Sequence, residues 1–86
     1  MAAYRIICEK SFVKGYERVP EIYLPPLREL MFQLETDPKN APKKPKSGSH
    51  NYFITRIGEW RVITLISWKE KTVTLVNVES RKNVYK

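Results

Sequence analysis

Arg56, Arg61, Arg81 and Tyr85, together with Lys43, Lys44, Lys46 and Tyr52, are the side chains of this 86-residue chain whose types and spacing suit a chemistry. A guanidinium is a planar fork of donors that matches phosphate oxygens. A tyrosine offers a face on which a nucleobase can stack. Lysines 43, 44 and 46 add three charges within one short stretch. The set fits a phosphodiester. Other chemistries lack their parts. The chain has one Cys and one His, so no Cys/His cluster for zinc can form, and no Gly-rich phosphate loop precedes a helix. The expectation is a site with no metal and no cofactor. Cys8 reads as a buried strand residue without a base to activate it. His50 has the pKa range for proton transfer but reads as an exposed loop residue.

Two of the arginines are placed by geometry. Gly58-Glu59 has the form of a two-residue hairpin turn with Gly first, the type II′ signature. Ile57 then pairs with Trp60, and Arg56 with Arg61. Directly opposite residues share a sheet face about 5 Å apart at Cβ, where like charges destabilise the pair unless solvent or an anion intervenes. With Lys69-Glu70 as the next turn, Arg61 falls opposite Val78. The segment bearing Arg81 and Tyr85 then emerges beside Arg56 and Arg61. This face carries Tyr52, Ile54, Arg56, Arg61, Ile63, Leu65, Thr74, Val76 and Val78. The other carries Phe53, Ile57, Trp60, Val62, Ile66, Val73 and Leu75, and it is the one assigned to the core, since Arg is rarely buried unpaired. The competing reading makes Arg56 and Arg61 surface residues paired with Glu59 and Glu79.

The elements that position these side chains follow from periodicity. Residues 3–8 read as a strand. Ser11 caps a short helix over 12–18, with Gly15 against it. Residues 20–24 form a separate turn. Leu27, Leu30, Met31 and Leu34 make one apolar stripe on a helix over 26–36, with Pro25 and Pro26 in its first turn and Asp37-Pro38 as its stop. Residues 37–50, with three prolines and four lysines, read as an extended, mobile loop. Strands at 51–57, 60–67 and 72–79 follow. The fold class is α+β: an N-terminal strand, one or two helices, then a three-stranded antiparallel meander with the helices on one face. Trp60 reads as core or turn packing, and Trp68 as a turn-edge residue or partner surface.

Composition bounds the rest. The length allows one domain, 1–86. The net charge of +7 lies wholly in residues 37–86, because residues 1–36 balance five basic against five acidic side chains. Such one-sidedness points to a polyanion, an acidic protein or both, against the plain alternative of a solubilising face. A lone cysteine fits a reducing compartment. No apolar run reaches the roughly 20 residues that span a bilayer, and the opening residues do not read as a signal peptide. A cytoplasmic location is expected.

Residues 52–63, Tyr-Phe-Ile-Thr-Arg-Ile-Gly-Glu-Trp-Arg-Val-Ile, resemble the Arg-x-Gly-[Asp/Glu]-aromatic-Arg-Val-Ile signature of the RelE/ParE toxin superfamily. Residues 76–85 are similar to the family's last strand with its following Arg and Val-Tyr. Leu34 to Pro38 look like the helix stop before the family's lysine-containing loop. The resemblance implies a toxin of a toxin–antitoxin pair, with a cognate antitoxin as partner. RelE-type members cleave mRNA on the ribosome; ParE-type members inhibit DNA gyrase and generally lack the C-terminal Arg and Tyr, so the RelE type is favoured here. Arg61, Arg81 and Tyr85 match the RelE-type catalytic arginines and tyrosine, with Arg56 in support. Lys43, Lys44, Lys46 and Tyr52 are the expected RNA contacts. The family's two strand lysines fall at Tyr52 and Ile54 here, so proton abstraction passes to Tyr52, His50 or a lysine of 43–46. The alternatives are a gyrase inhibitor or an RNA-binding homologue with weakened catalysis.

Overall fold

The computed structural model describes residues 4–46 and 51–80. Strand β1 (Arg5–Cys8) leads into helix α1 (Lys10–Tyr16), a 3-10 turn (Glu21–Tyr23) and helix α2 (Leu24–Thr36). Four strands follow: β2 (Lys44–Pro45), β3 (Tyr52–Ile57), β4 (Trp60–Ser67) and β5 (Thr72–Ser80). They form one sheet in the order β1-β5-β4-β3-β2. The last three strands are the expected antiparallel meander, and β1 joins β5 in parallel.

Helix α2 begins at Leu24, two residues before the expected start. Pro25 and Pro26 sit in its first turn, where a missing amide proton costs nothing. Leu27, Leu30 and Leu34 are buried, and Met31 packs against them. Each buried leucine contributes roughly 1.5–3 kcal/mol. They meet Val62, Ile66, Val73, Leu75 and Val78 of the sheet, so the arginine-free face is the core face, as expected. Helix α1 adds Phe12 and starts at Lys10, with Glu9 rather than Ser11 at its N-cap. Ser11 lies inside the helix and donates its hydroxyl to the Val76 carbonyl. Gly15 is explained by close approach: a Cβ there would lie 2.1 Å from the Val78 carbonyl oxygen.

Three expectations need correcting. Cys8 is exposed, because it ends an edge strand instead of facing the core. The loop over 37–50 is not wholly loop: Lys44 and Pro45 pair with Ile54 and Phe53, and the Lys46 amide donates to the Tyr52 carbonyl. A proline is tolerated there because β2 is the sheet edge. The third concerns the second hairpin. Near its turn the pairing is as deduced, Ser67 with Thr72 and Leu65 with Thr74. Between Ile63 and Thr64 the register shifts, so Arg61 pairs with Glu79 and not with Val78. The extra residue is Val76, a bulge that turns Val78 into the core and Asn77 and Glu79 onto the arginine face.

Candidate nucleic-acid interface

The outer face of the meander is a short grid fixed by strand register. Its first row is Arg56, Arg61 and Glu79 across β3, β4 and β5. Its second is Lys44, Ile54, Ile63 and Asn77, starting from β2. Its third is Tyr52, Leu65 and Thr74, with the Lys46 ammonium 6.0 Å from the Tyr52 ring. The Gly58-Glu59 turn sets the first row. Gly58 has φ 61°, the left-handed region its lack of a side chain permits, and Ile57 pairs with Trp60 across it. The expected juxtaposition of Arg56 and Arg61 is therefore present.

Arg56 is exposed, and among the described residues it makes no ion pair. Arg61 differs. Its Nη2 donates to Glu79 Oε2 at 2.6 Å, and Asn77 Nδ2 donates to Glu79 Oε1 at 3.0 Å. The Arg61 Nε is buried and has no acceptor among the described residues. The surface-pair reading thus holds for Arg61 with Glu79. A carboxylate on one donor leaves the rest of the fork for an anion, and the neighbouring Arg56 restores a net positive charge to the row.

Pro42, Lys44, Ile54, Thr55, Arg56 and Arg61 line an open groove of about 630 Å³ beside this row. That volume lies within the range of small-ligand sites, roughly 300–1,000 Å³. Thr55 closes its floor by donating to the Pro42 carbonyl at 2.5 Å. Lys43 also borders the groove, but its ammonium is engaged elsewhere. It donates to the carbonyls of Pro38, Lys39 and Ala41 and lies 5.4 Å from the Phe53 ring centre. Burial lowers its pKa, and the Asp37 carboxylate partly offsets this. A lowered lysine pKa is one mark of a proton acceptor. Here burial beneath the 37–43 turn is the cause, while the three carbonyls and the ring hold the amine as a clasp on that turn.

Arg81, Tyr85 and His50 lie outside the described residues. Strand β5 runs to Ser80 opposite Trp60, so the chain reaches the arginine end of the grid there. Glu79 and Asn77 are the functional neighbours that the sequence reading missed as face residues. No local signal marked them: Val73, Leu75 and Val78 are buried, but Val76 is as apolar as Val78, so the break in two-residue alternation shows only in the burial. Trp60 is core, and Trp68, half exposed on the β4–β5 loop, meets Tyr4 and Phe53 edge-on.

No family model matches the chain. A Methanocaldococcus jannaschii protein assigned as toxin RelE1 is 26% identical over 86 residues, spanning 96% of both chains. The archaeal RelE–RelB complex from Pyrococcus horikoshii OT3 contains a chain of similar fold, with a TM-score of 0.74 and 25% identity, over 92% of this chain and 96% of that one. The E. coli DinJ–YafQ toxin–antitoxin complex gives a TM-score of 0.78 at 15% identity, over 98% and 99% of the two chains.

Proposed function

We propose that this chain, which belongs to the RelE toxin superfamily, is the toxin of a type II toxin–antitoxin pair and cleaves mRNA on the ribosome by metal-free attack of a ribose 2′-OH. The observation that carries the reading is the row in which Arg56 and Arg61 face one another beside an open groove. In this reaction the 2′ oxygen bonds to phosphorus and the bond from phosphorus to the 5′ oxygen breaks. The products are a 2′,3′-cyclic phosphate and a 5′-hydroxyl. The 2′-OH proton passes to a groove base, and the departing 5′ oxygen gains a proton. Negative charge collects on the non-bridging oxygens, where one preorganised donor is typically worth about 2.7–4 kcal/mol. Arg61 and Arg56 supply donors at that point, with Arg81 as a third. Tyr85 orients the nucleotide or protonates the leaving oxygen. Of the expected proton acceptors, Lys44 lines the groove, the Lys43 ammonium is committed to the 37–43 carbonyls, and Tyr52 lies two rows along the sheet from Arg56 and Arg61.

The partner follows from charge. The basic half of the chain suits an antitoxin with an acidic binding segment, and such binding weakens with salt where it is surface-exposed. The test of function is a translation reaction charged with the purified protein, followed by mapping of mRNA 5′ ends. Cuts that follow the codon period and vanish in Arg61→Ala and Arg81→Ala are expected. Intact mRNA together with inhibited gyrase supercoiling would reverse the assignment in favour of the ParE type.

A further inference from the structure

The grid carries more than one phosphate position. Lys44 lies opposite Ile54, which places its side chain on the arginine face, one row from Arg56 and Arg61. Lys46 follows two residues later in the same alternation, with its ammonium beside the Tyr52 ring. Both lysines are exposed. Rows two residues apart along a strand are separated by about 7 Å, comparable to the step between phosphates of an extended single strand. Between the cations lies an apolar shelf of Ile54, Ile63 and Leu65, each only half-buried, ending at Tyr52. On the other sheet face the equivalent positions are filled by the helices.

We propose that the outer sheet face binds three successive phosphates of a single RNA strand: the first at Arg56 and Arg61, the second at Lys44 and the third at Lys46. The intervening bases lie over Ile54, Ile63, Leu65 and the Tyr52 ring. This deepens the RNA reading above and rests on it. The short edge strand β2 is what makes the track. It carries lysines at alternate positions, 44 and 46, on either side of Pro45, which pairs with Phe53 and also borders the groove. Lys43, one residue out of phase and held by backbone carbonyls, is excluded from it. The apolar shelf contacts bases without reading their edges, so the track sets register and length rather than sequence.

The test uses the free protein and 2′-O-methyl oligoribonucleotides of one to six residues, which lack the attacking hydroxyl and so report binding alone. Affinity is expected to rise with each added phosphate up to three and then level off. A single-stranded ligand loses about 0.7 in the slope of log K against log salt for each phosphate contact removed. Lys44→Ala and Lys46→Ala should each lower the slope by that amount, and Lys46→Ala should bring the plateau down to two phosphates. Lys39→Ala and Lys69→Ala, off the track, should leave slope and plateau unchanged. Wild-type binding whose slope and plateau are the same in Lys44→Ala and Lys46→Ala would overturn the track while leaving the RNA reading standing. No binding of any oligomer by the wild type would remove the RNA reading, and the track with it.

Discussion

Replacing Glu79 by Gln removes the one carboxylate that touches Arg61 among the described residues while keeping its size and a hydrogen-bonding oxygen. Two effects oppose one another. The fold loses an ion pair whose side chains are 29% and 32% exposed, and solvent screening limits such a pair to about 0.2–1 kcal/mol. An anion on Arg61 gains more. Glu79 sits on the adjacent strand, about 5 Å from a phosphate held there. Repulsion between two unit charges at that distance is about 0.8 kcal/mol in bulk water and about 3 kcal/mol at an effective dielectric of 20. A half-exposed site falls between, so relief of about 1–2 kcal/mol is expected. That corresponds to roughly 5- to 30-fold tighter binding. Lys14 and Arg18 of α1 share the neighbouring cleft with Glu79, so the whole corner becomes more positive. Anisotropy titrations of a 2′-O-methyl trinucleotide with wild type and Glu79→Gln, at low and moderate salt, read the change directly. The gain should shrink as salt rises. Glu70→Gln, on the β4–β5 loop, is the control and should show little gain. Unchanged or weaker binding by a folded Glu79→Gln protein would show that Arg61 does not hold the anion.

Four further outcomes follow from the fold and the clasp. Gly15→Ala gains about 1 kcal/mol of helix propensity but must push back the Val78 carbonyl, so a net loss of about 1–2 kcal/mol is expected in urea unfolding. Gly58→Ala should cost at least about 1 kcal/mol, since its φ is 61° and the new Cβ would lie 2.4 Å from the Tyr23 ring; thermal melts will show it. Leu34→Ala, at a fully buried α2 position, should cost about 2–5 kcal/mol by the same method. Lys43 has a folded pKa below its ordinary 10.5, so the unfolded chain binds more protons there and this residue's contribution to stability rises as pH climbs through the lowered value towards 10.5. The stability difference between wild type and Lys43→Met, followed by urea unfolding from pH 8 upwards, should therefore shift in favour of the wild type.

The parts of the fold legible in the sequence are those set by local chemistry. The Gly58 turn dictated the register of β3 on β4, and with it the meeting of Arg56 and Arg61. The leucine stripe of α2 and the two prolines at its start marked that helix to within two residues. What escaped depended on contacts distant in sequence. The bulge at Val76 is fixed by the fit of Val78 beneath α1, where Gly15 lets the helix approach, and no pair of neighbouring residues encodes it. Its consequence is large for the site, because one residue of slip brings Glu79 onto Arg61. The pairing of Lys44 and Pro45 with β3 was hidden by proline, which usually marks loop, and the exposure of Cys8 by a strand composition that suits either an edge or an interior.

The central claim is that the arginine row at the Gly58 end of the meander grips a phosphodiester. Side-chain 15N spectra of the arginine Nε groups, recorded while the protein is titrated with a 2′-O-methyl trinucleotide, address it most directly. Arg56 and Arg61 should shift together and saturate at one equivalent, with Arg5 and Arg28 unmoved. Saturable binding that leaves both Arg56 and Arg61 signals in place would contradict the account.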